Sequence, residues 1–146
     1  MVDIDYELKD YCKYIEKTKL KKFTRQILAE LNYKNYDVSI FFSTPDTIKN
    51  LNNQYRKKNY VTDVLSFSQM EGIEKINTTF LGDIVICVEK AIEQSNELNH
   101  TLDSEINFLI LHGVLHLVGY DHEVDDGEME RLEKKIFLKL TGEDIE

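Results

Sequence analysis

The segment His112-Gly113-Val114-Leu115-His116-Leu117-Val118-Gly119-Tyr120-Asp121-His122 constrains this chain more than any other feature. Residues four apart on an α-helix lie on one face, one turn above the other. His112 and His116 therefore point the same way and can reach one ion. Gly119 can take the positive φ of a helix terminus, which lets the chain turn back. His122 follows that turn and can supply a third nitrogen. Three protein ligands with a fourth corner open to water are the arrangement of a catalytic zinc site, whereas structural sites are closed by four ligands.

The helix that carries the first two histidines holds Ile106, Phe108, Leu109, Ile110, Leu111, Val114, Leu115, Leu117 and Val118. It is apolar nearly all round, which predicts burial. Two imidazoles in a buried helix need partners, because an unpaired buried polar group costs roughly 1–3 kcal/mol. A shared cation satisfies both. Separate hydrogen bonds to backbone or carboxylate would be the ordinary fate of a lone histidine. His100, in the polar run Asn99-His100-Thr101, has no partner at ligand spacing and is expected on the surface. The histidine spacing is also that of the metzincin proteases, HExxHxxGxxH. Position 113 is glycine here, and the glutamate found there in those enzymes is the general base of peptide hydrolysis. A protease is disfavoured. A zincin-like three-histidine site is kept.

The rest of the chain predicts one layered α/β or α+β domain over residues 1–146, a small mixed sheet of about four strands packed with helices. A helix-like pattern runs from about residue 8 to 31, with a break near Thr18, and carries Leu8, Tyr11, Ile15, Phe23, Ile27, Leu28 and Leu31. Strands are expected at Tyr36–Phe42, Val64–Phe67 and Leu81–Val88, the last two separated by a polar loop containing Gly72 and Asn77. Thr44-Pro45-Asp46 opens a helix with a capping hydroxyl and a first-turn proline. That helix should turn Ile48, Leu51 and Tyr55 inward and end near Lys57. Further helices are expected over Glu89–Leu98, over about 103–119, and over Asp126–Leu140, the last closed by Gly142.

The N-terminal stretch MVDIDYELKD is acidic and predicts no signal peptide. The longest apolar run, Phe108–Val118, is too short and too polar to span a bilayer. Cys12 and Cys87 lie outside any CxxC spacing and read as reduced thiols, Cys87 in a strand core. The expectation is a cytoplasmic protein without a membrane partner. The net charge of −9 argues at first against nucleic acid, but it is unevenly spread. Residues 1–66 carry 12 Lys/Arg against 9 Asp/Glu, and residues 67–146 carry 6 against 18. A phosphate-binding face in the first half is allowed by this and not required, and on charge alone solvated helix surfaces are the preferred explanation.

Beyond these readings, the sequence resembles the YbeY family of bacterial endoribonucleases. The family hallmark HGxLHLxGYDH is matched at every fixed position by residues 112–122. A second block, close to NxxYRxKDxPTDVLSFP, is matched by Asn52, Tyr55, Arg56, Lys58 and Thr62-Asp63-Val64-Leu65-Ser66-Phe67. A third, LGDI, falls at Leu81–Ile84. Asn59, Val61 and Ser68 depart from the second block, where aspartate and two prolines are usual. The resemblance covers about residues 36–140.

It implies a metal site at His112, His116 and His122 and a role for Arg56 in the active cleft. It also implies cleavage of single-stranded RNA in maturation of the 3′ end of small-subunit ribosomal RNA and in ribosome quality control, with the small subunit as partner and no DNA. On spacing alone Arg56 is a solvated cation at a helix C-terminus; only the resemblance makes it catalytic. Lys57 and Lys58 read as electrostatic guides for RNA. With no glutamate at position 113 the proton acceptor is left open; Asp121 and Glu123 flank the third histidine, and each is as much a candidate for orienting it as for taking the proton. Three imidazoles suit zinc best, though nickel, cobalt or copper can occupy such a set. Two alternatives stay open: a zinc peptidase using another carboxylate as base, and a non-catalytic ribosome-assembly factor whose metal fastens the 119–126 turn.

Overall fold

The computed structural model describes residues 1–69 and 79–144, so the expected polar loop with Gly72 and Asn77 lies outside the described residues. Among them, strands β1 (Val2–Tyr6), β2 (Asp37–Ser43), β3 (Val64–Ser68) and β4 (Phe80–Cys87) form one sheet in the order β1-β2-β4-β3. β1, β2 and β4 run parallel, and β3 is an antiparallel edge. The expected small mixed sheet of about four strands is observed.

β1 is the strand the sequence reading did not place. Its VDIDY alternation buries Val2 and Ile4 and exposes Asp3 and Asp5, the period of a half-buried strand. Its partner is distant in sequence: Val2, Ile4 and Tyr6 stand beside Val38, Ile40 and Phe42 of β2.

The expected 8–31 helix is two pieces, a 3₁₀ turn at Lys9–Lys13 and helix α1 (Lys17–Glu30), so the break falls at 14–16, just before Thr18. α2 (Pro45–Arg56) begins as predicted: the Thr44 hydroxyl accepts the Thr47 N–H at 3.3 Å, with Pro45 in the first turn. Its inward face differs from expectation. Ile48 is buried and Leu51 half-buried, but Tyr55 is 57% exposed, and Asn52 occupies the inner position. The Asn52 amide donates to the Tyr60 carbonyl at 3.0 Å, so a polar side chain ties down the chain that leaves the helix.

α3 (Val88–Glu97), α4 (Leu102–Leu117) and α5 (Glu128–Thr141) complete the described elements, with α5 closed by Gly142 as expected. The alternation of β4 divides the interior. Ile84 and Ile86 join the main core with α1, α4 and α5, whereas Val85 and Cys87 join Ile48 and Leu65 in a smaller cluster under α2.

α4 lies against β3 and β4 through three contacts that fix the site. The Ser66 hydroxyl donates to the Gly113 carbonyl at 3.0 Å and the Ser68 hydroxyl to the Leu117 carbonyl at 2.9 Å. A Cβ added to Gly113 would lie 2.8 Å from Cγ2 of Ile84. Gly82, at φ 145° and beside an irregularity in the β2–β4 pairing, has no room for a Cβ either: that atom would meet the Phe67 carbonyl oxygen at 2.2 Å.

Candidate metal centre

The buried helix α4 and the turn after it bring the three histidines together. At the end of α4 the Gly119 N–H donates to the His116 carbonyl and the Tyr120 N–H to the Leu115 carbonyl, at 3.1 and 3.0 Å, with Gly119 at φ 105°. This is a Schellman ending, with its glycine at the position that needs the left-handed region. It reverses the chain so that His122 returns beside the helix.

His112 and His116 are half-buried and His122 is exposed, and one ring nitrogen from each lies within 4.8 Å of those of the other two. The Nε2 atoms of His112 and His116 are 3.2 Å apart. Zinc–nitrogen bonds of about 2.05 Å at the tetrahedral angle separate two ligand nitrogens by about 3.3 Å. The residues present therefore fit a three-coordinate holder for a metal ion.

The protonation states fit as well. His112 Nδ1 is 2.7 Å from Oε2 of Glu133, whose side chain is only 10% exposed. A proton on Nδ1, donated to that carboxylate, leaves the Nε2 lone pair facing the other rings. Burial pushes the His116 imidazole below its usual 6.5, and its neighbours His112 and His122 add to this; Asp121 and a backbone hydrogen bond at Tyr120 oppose it without reversing it. The shift favours the neutral ring, the form a metal ligand must take.

Glu133 was not anticipated from the sequence. The signal was present: it occupies a core-facing position on α5, between buried Met129 and buried Ile136 and Phe137, where a carboxylate requires a partner. Asp121, expected beside the third ligand, accepts the Glu123 N–H at 3.0 Å and so shapes the turn. His100 is exposed, as expected, and its Nε2 is 2.6 Å from Oε1 of buried Glu105. It stays apart from the three-histidine group.

Arg56, at the end of α2, is exposed; its Nη2 donates to the Ser66 carbonyl at 2.6 Å, and its guanidinium lies 5.5 Å from the Phe67 ring centre. Because the Ser66 hydroxyl bonds the Gly113 carbonyl, Arg56 is anchored to the strand that braces α4 next to His112. Lys57 and Lys58 are exposed just beyond it.

The family model described as endoribonuclease YbeY matches residues 4–141. The chain belongs to the YbeY family. That match takes in the N-terminal strand from Ile4 and helix α1, beyond the 36–140 span recognisable by motif. Among proteins named endoribonuclease YbeY, that of Sulfurihydrogenibium sp. is 43% identical over 91% of this chain and 89% of its own length. That of Finegoldia magna is 44% identical over 80% and 76%. The solution structure of TM1509 from Thermotoga maritima aligns with a TM-score of 0.62 at 33% identity, covering 97% of this chain and 90% of that one. The three histidines, Arg56 and Glu133 all fall inside the YbeY match. No helix among the described residues is long and apolar enough to cross a membrane.

Proposed function

We propose that this chain is a zinc-dependent endoribonuclease that cleaves single-stranded RNA, acting in the cytoplasm on the 3′ end of small-subunit ribosomal RNA. The observation that carries the reading is the convergence of His112, His116 and His122 within 4.8 Å, in a chain of an endoribonuclease family. These residues would hold the ion, with Glu133 fixing the His112 ring. When bound, zinc supplies Lewis acidity, drawing electron density from a phosphoryl oxygen or an attacking oxygen.

The remaining work belongs to side chains. Arg56 would bind phosphate oxygens through its planar fork and stabilise the charge that builds on them in the transition state. Its anchor on Ser66 limits the rotamers it must give up to do so. Lys57 and Lys58 would attract the RNA backbone without taking part in the chemistry. The peptidase alternative, which would need another carboxylate as base, is not favoured, because the matching family model and the similar proteins are endoribonucleases.

Elemental analysis of the purified protein, paired with cleavage of single-stranded RNA by wild type and His122→Ala, tests the proposal. Wild type should hold about one equivalent of zinc and cut; the variant should lose both. Equal cleavage by the two proteins, or a wild type that takes up no metal, would overturn it.

A further inference from the structure

The end of α2 exposes two aromatic side chains, on either side of Arg56, Lys57 and Lys58, to which the proposed chemistry gives no role. Tyr55 and Tyr60 are 57% and 52% exposed, large side chains that would ordinarily be turned inward. Arg56, Lys57, Lys58 and Asn59 between them are exposed too. The segment is nonetheless held firmly. Lys57 takes a left-handed conformation at φ 57°, its N–H and that of Lys58 donate to the Asn53 and Asn52 carbonyls, and the buried Asn52 amide donates to the Tyr60 carbonyl. The chain is thereby folded back on the last turn of the helix. Tyr55 is further fixed by an edge-on contact with Phe67, ring centres 5.3 Å apart.

Two tyrosines held outward, with three cations between them and no acidic residue from 47 to 62, form a combination of defined chemistry. Aromatic faces stack on unpaired bases of any identity, and interleaved cations follow the phosphates. We infer that Tyr55 and Tyr60 are base-stacking platforms for single-stranded RNA, and that the 55–60 segment is the surface on which the strand is gripped beside the metal centre. The charge of the segment sets the occupant. In a chain of net charge −9, a local run of three cations without a carboxylate complements a polyanion. The inference rests on the RNA-cleaving reading above and adds the determinant for single strands: bases paired in a duplex are stacked on one another and cannot lie on a tyrosine.

The test uses the full chain as purified and a short 2′-O-methyl single-stranded oligonucleotide, with a second probe in which the bases are replaced by abasic sites. Wild type should bind the abasic probe roughly fivefold to a hundredfold more weakly than the one with bases. Tyr55→Ala with Tyr60→Ala should bind both probes equally, and Tyr55→Phe with Tyr60→Phe should restore the preference. Lys57→Ala with Lys58→Ala should instead flatten the salt dependence and keep the preference for bases. Both tyrosines are exposed, and wild type alone answers the first comparison should a variant melt early. Equal affinity of wild type for both probes, or a double alanine variant that keeps the preference, overturns the inference, including where the patch then captures a protein. RNA cleavage by wild type, assayed separately, reports on the catalytic reading, so the two can fail independently.

Discussion

Glu133 on α5 holds His112 on α4: Oε2 of the carboxylate lies 2.7 Å from Nδ1 of the ring, across 21 residues of sequence. The bond selects the tautomer that presents Nε2 to the other two histidines, and its partner is largely buried. A carboxylate behind a ligating imidazole also raises its basicity, and removing one typically weakens metal affinity by about 10–100-fold. Glu133→Gln keeps the shape and can still accept one hydrogen bond, so it should retain the fold and bind zinc about tenfold more weakly, as read by competition with a chelating dye. Unchanged affinity in that variant would show the contact to be packing alone.

The three-histidine group was legible because each of its parts is local. The four-residue spacing, the glycine turn and the third histidine lie within eleven positions, and helix periodicity alone aligns them. The α2 cap and the Gly142 stop were readable for the same reason. What escaped depends on partners distant in sequence. β1 reads as an acidic tail until Val38, Ile40 and Phe42 stand beside it. Glu133 looks like one more charge on a charged helix until α5 docks on α4. Tyr55 fits the apolar stripe of α2 by spacing, yet Asn52 takes the inner position because the chain beyond the helix needs its amide.

The lowered basicity of His116 gives the metal-free protein a pH-dependent stability. The unfolded chain takes up a proton near 6.5, whereas the folded one does so only at a lower pH. Between those values the unfolded state binds more protons, so stability falls as pH drops through the window, and the contribution is fully present above 6.5. The melting temperature of the metal-stripped protein should therefore rise from about pH 5 to about pH 7.5 more steeply in wild type than in His116→Asn. Parallel profiles would mean that the ring is solvated as freely in the fold as outside it.

Gly113 separates this site from a metzincin by packing as well as by chemistry. A methyl group there would press on Cγ2 of Ile84, a fully buried β-branched side chain with little freedom to move. Gly113→Ala should destabilise by about 1–3 kcal/mol despite the better helix propensity of alanine. The cost should shrink in an Ile84→Ala background, where the opposing methyl is gone. Gly113→Glu should yield no peptidase activity, since the carboxylate would be driven toward the sheet. Denaturant melts of the four proteins of the cycle decide the packing claim, and an additive cycle would refute it.

Arg56 makes the sharpest division between a structural and a chemical role. Structurally it contributes one bond from Nη2 to the Ser66 carbonyl and a loose approach to Phe67, both at an exposed position, so Arg56→Ala should cost no more than about 1 kcal/mol of stability. If its guanidinium meets the scissile phosphate, the same substitution should lower kcat for RNA cleavage by about 100–1,000-fold, the range seen when one preorganised donor is removed from a developing oxyanion. Metal content should not change. Arg56→Lys separates charge from geometry: a point charge can still attract the strand, but it lacks the planar fork that grips two oxygens. It should recover RNA affinity more fully than kcat. A folded, metal-loaded Arg56→Ala protein that cuts single-stranded RNA at the wild-type rate would leave the arginine as a brace for β3 and nothing more.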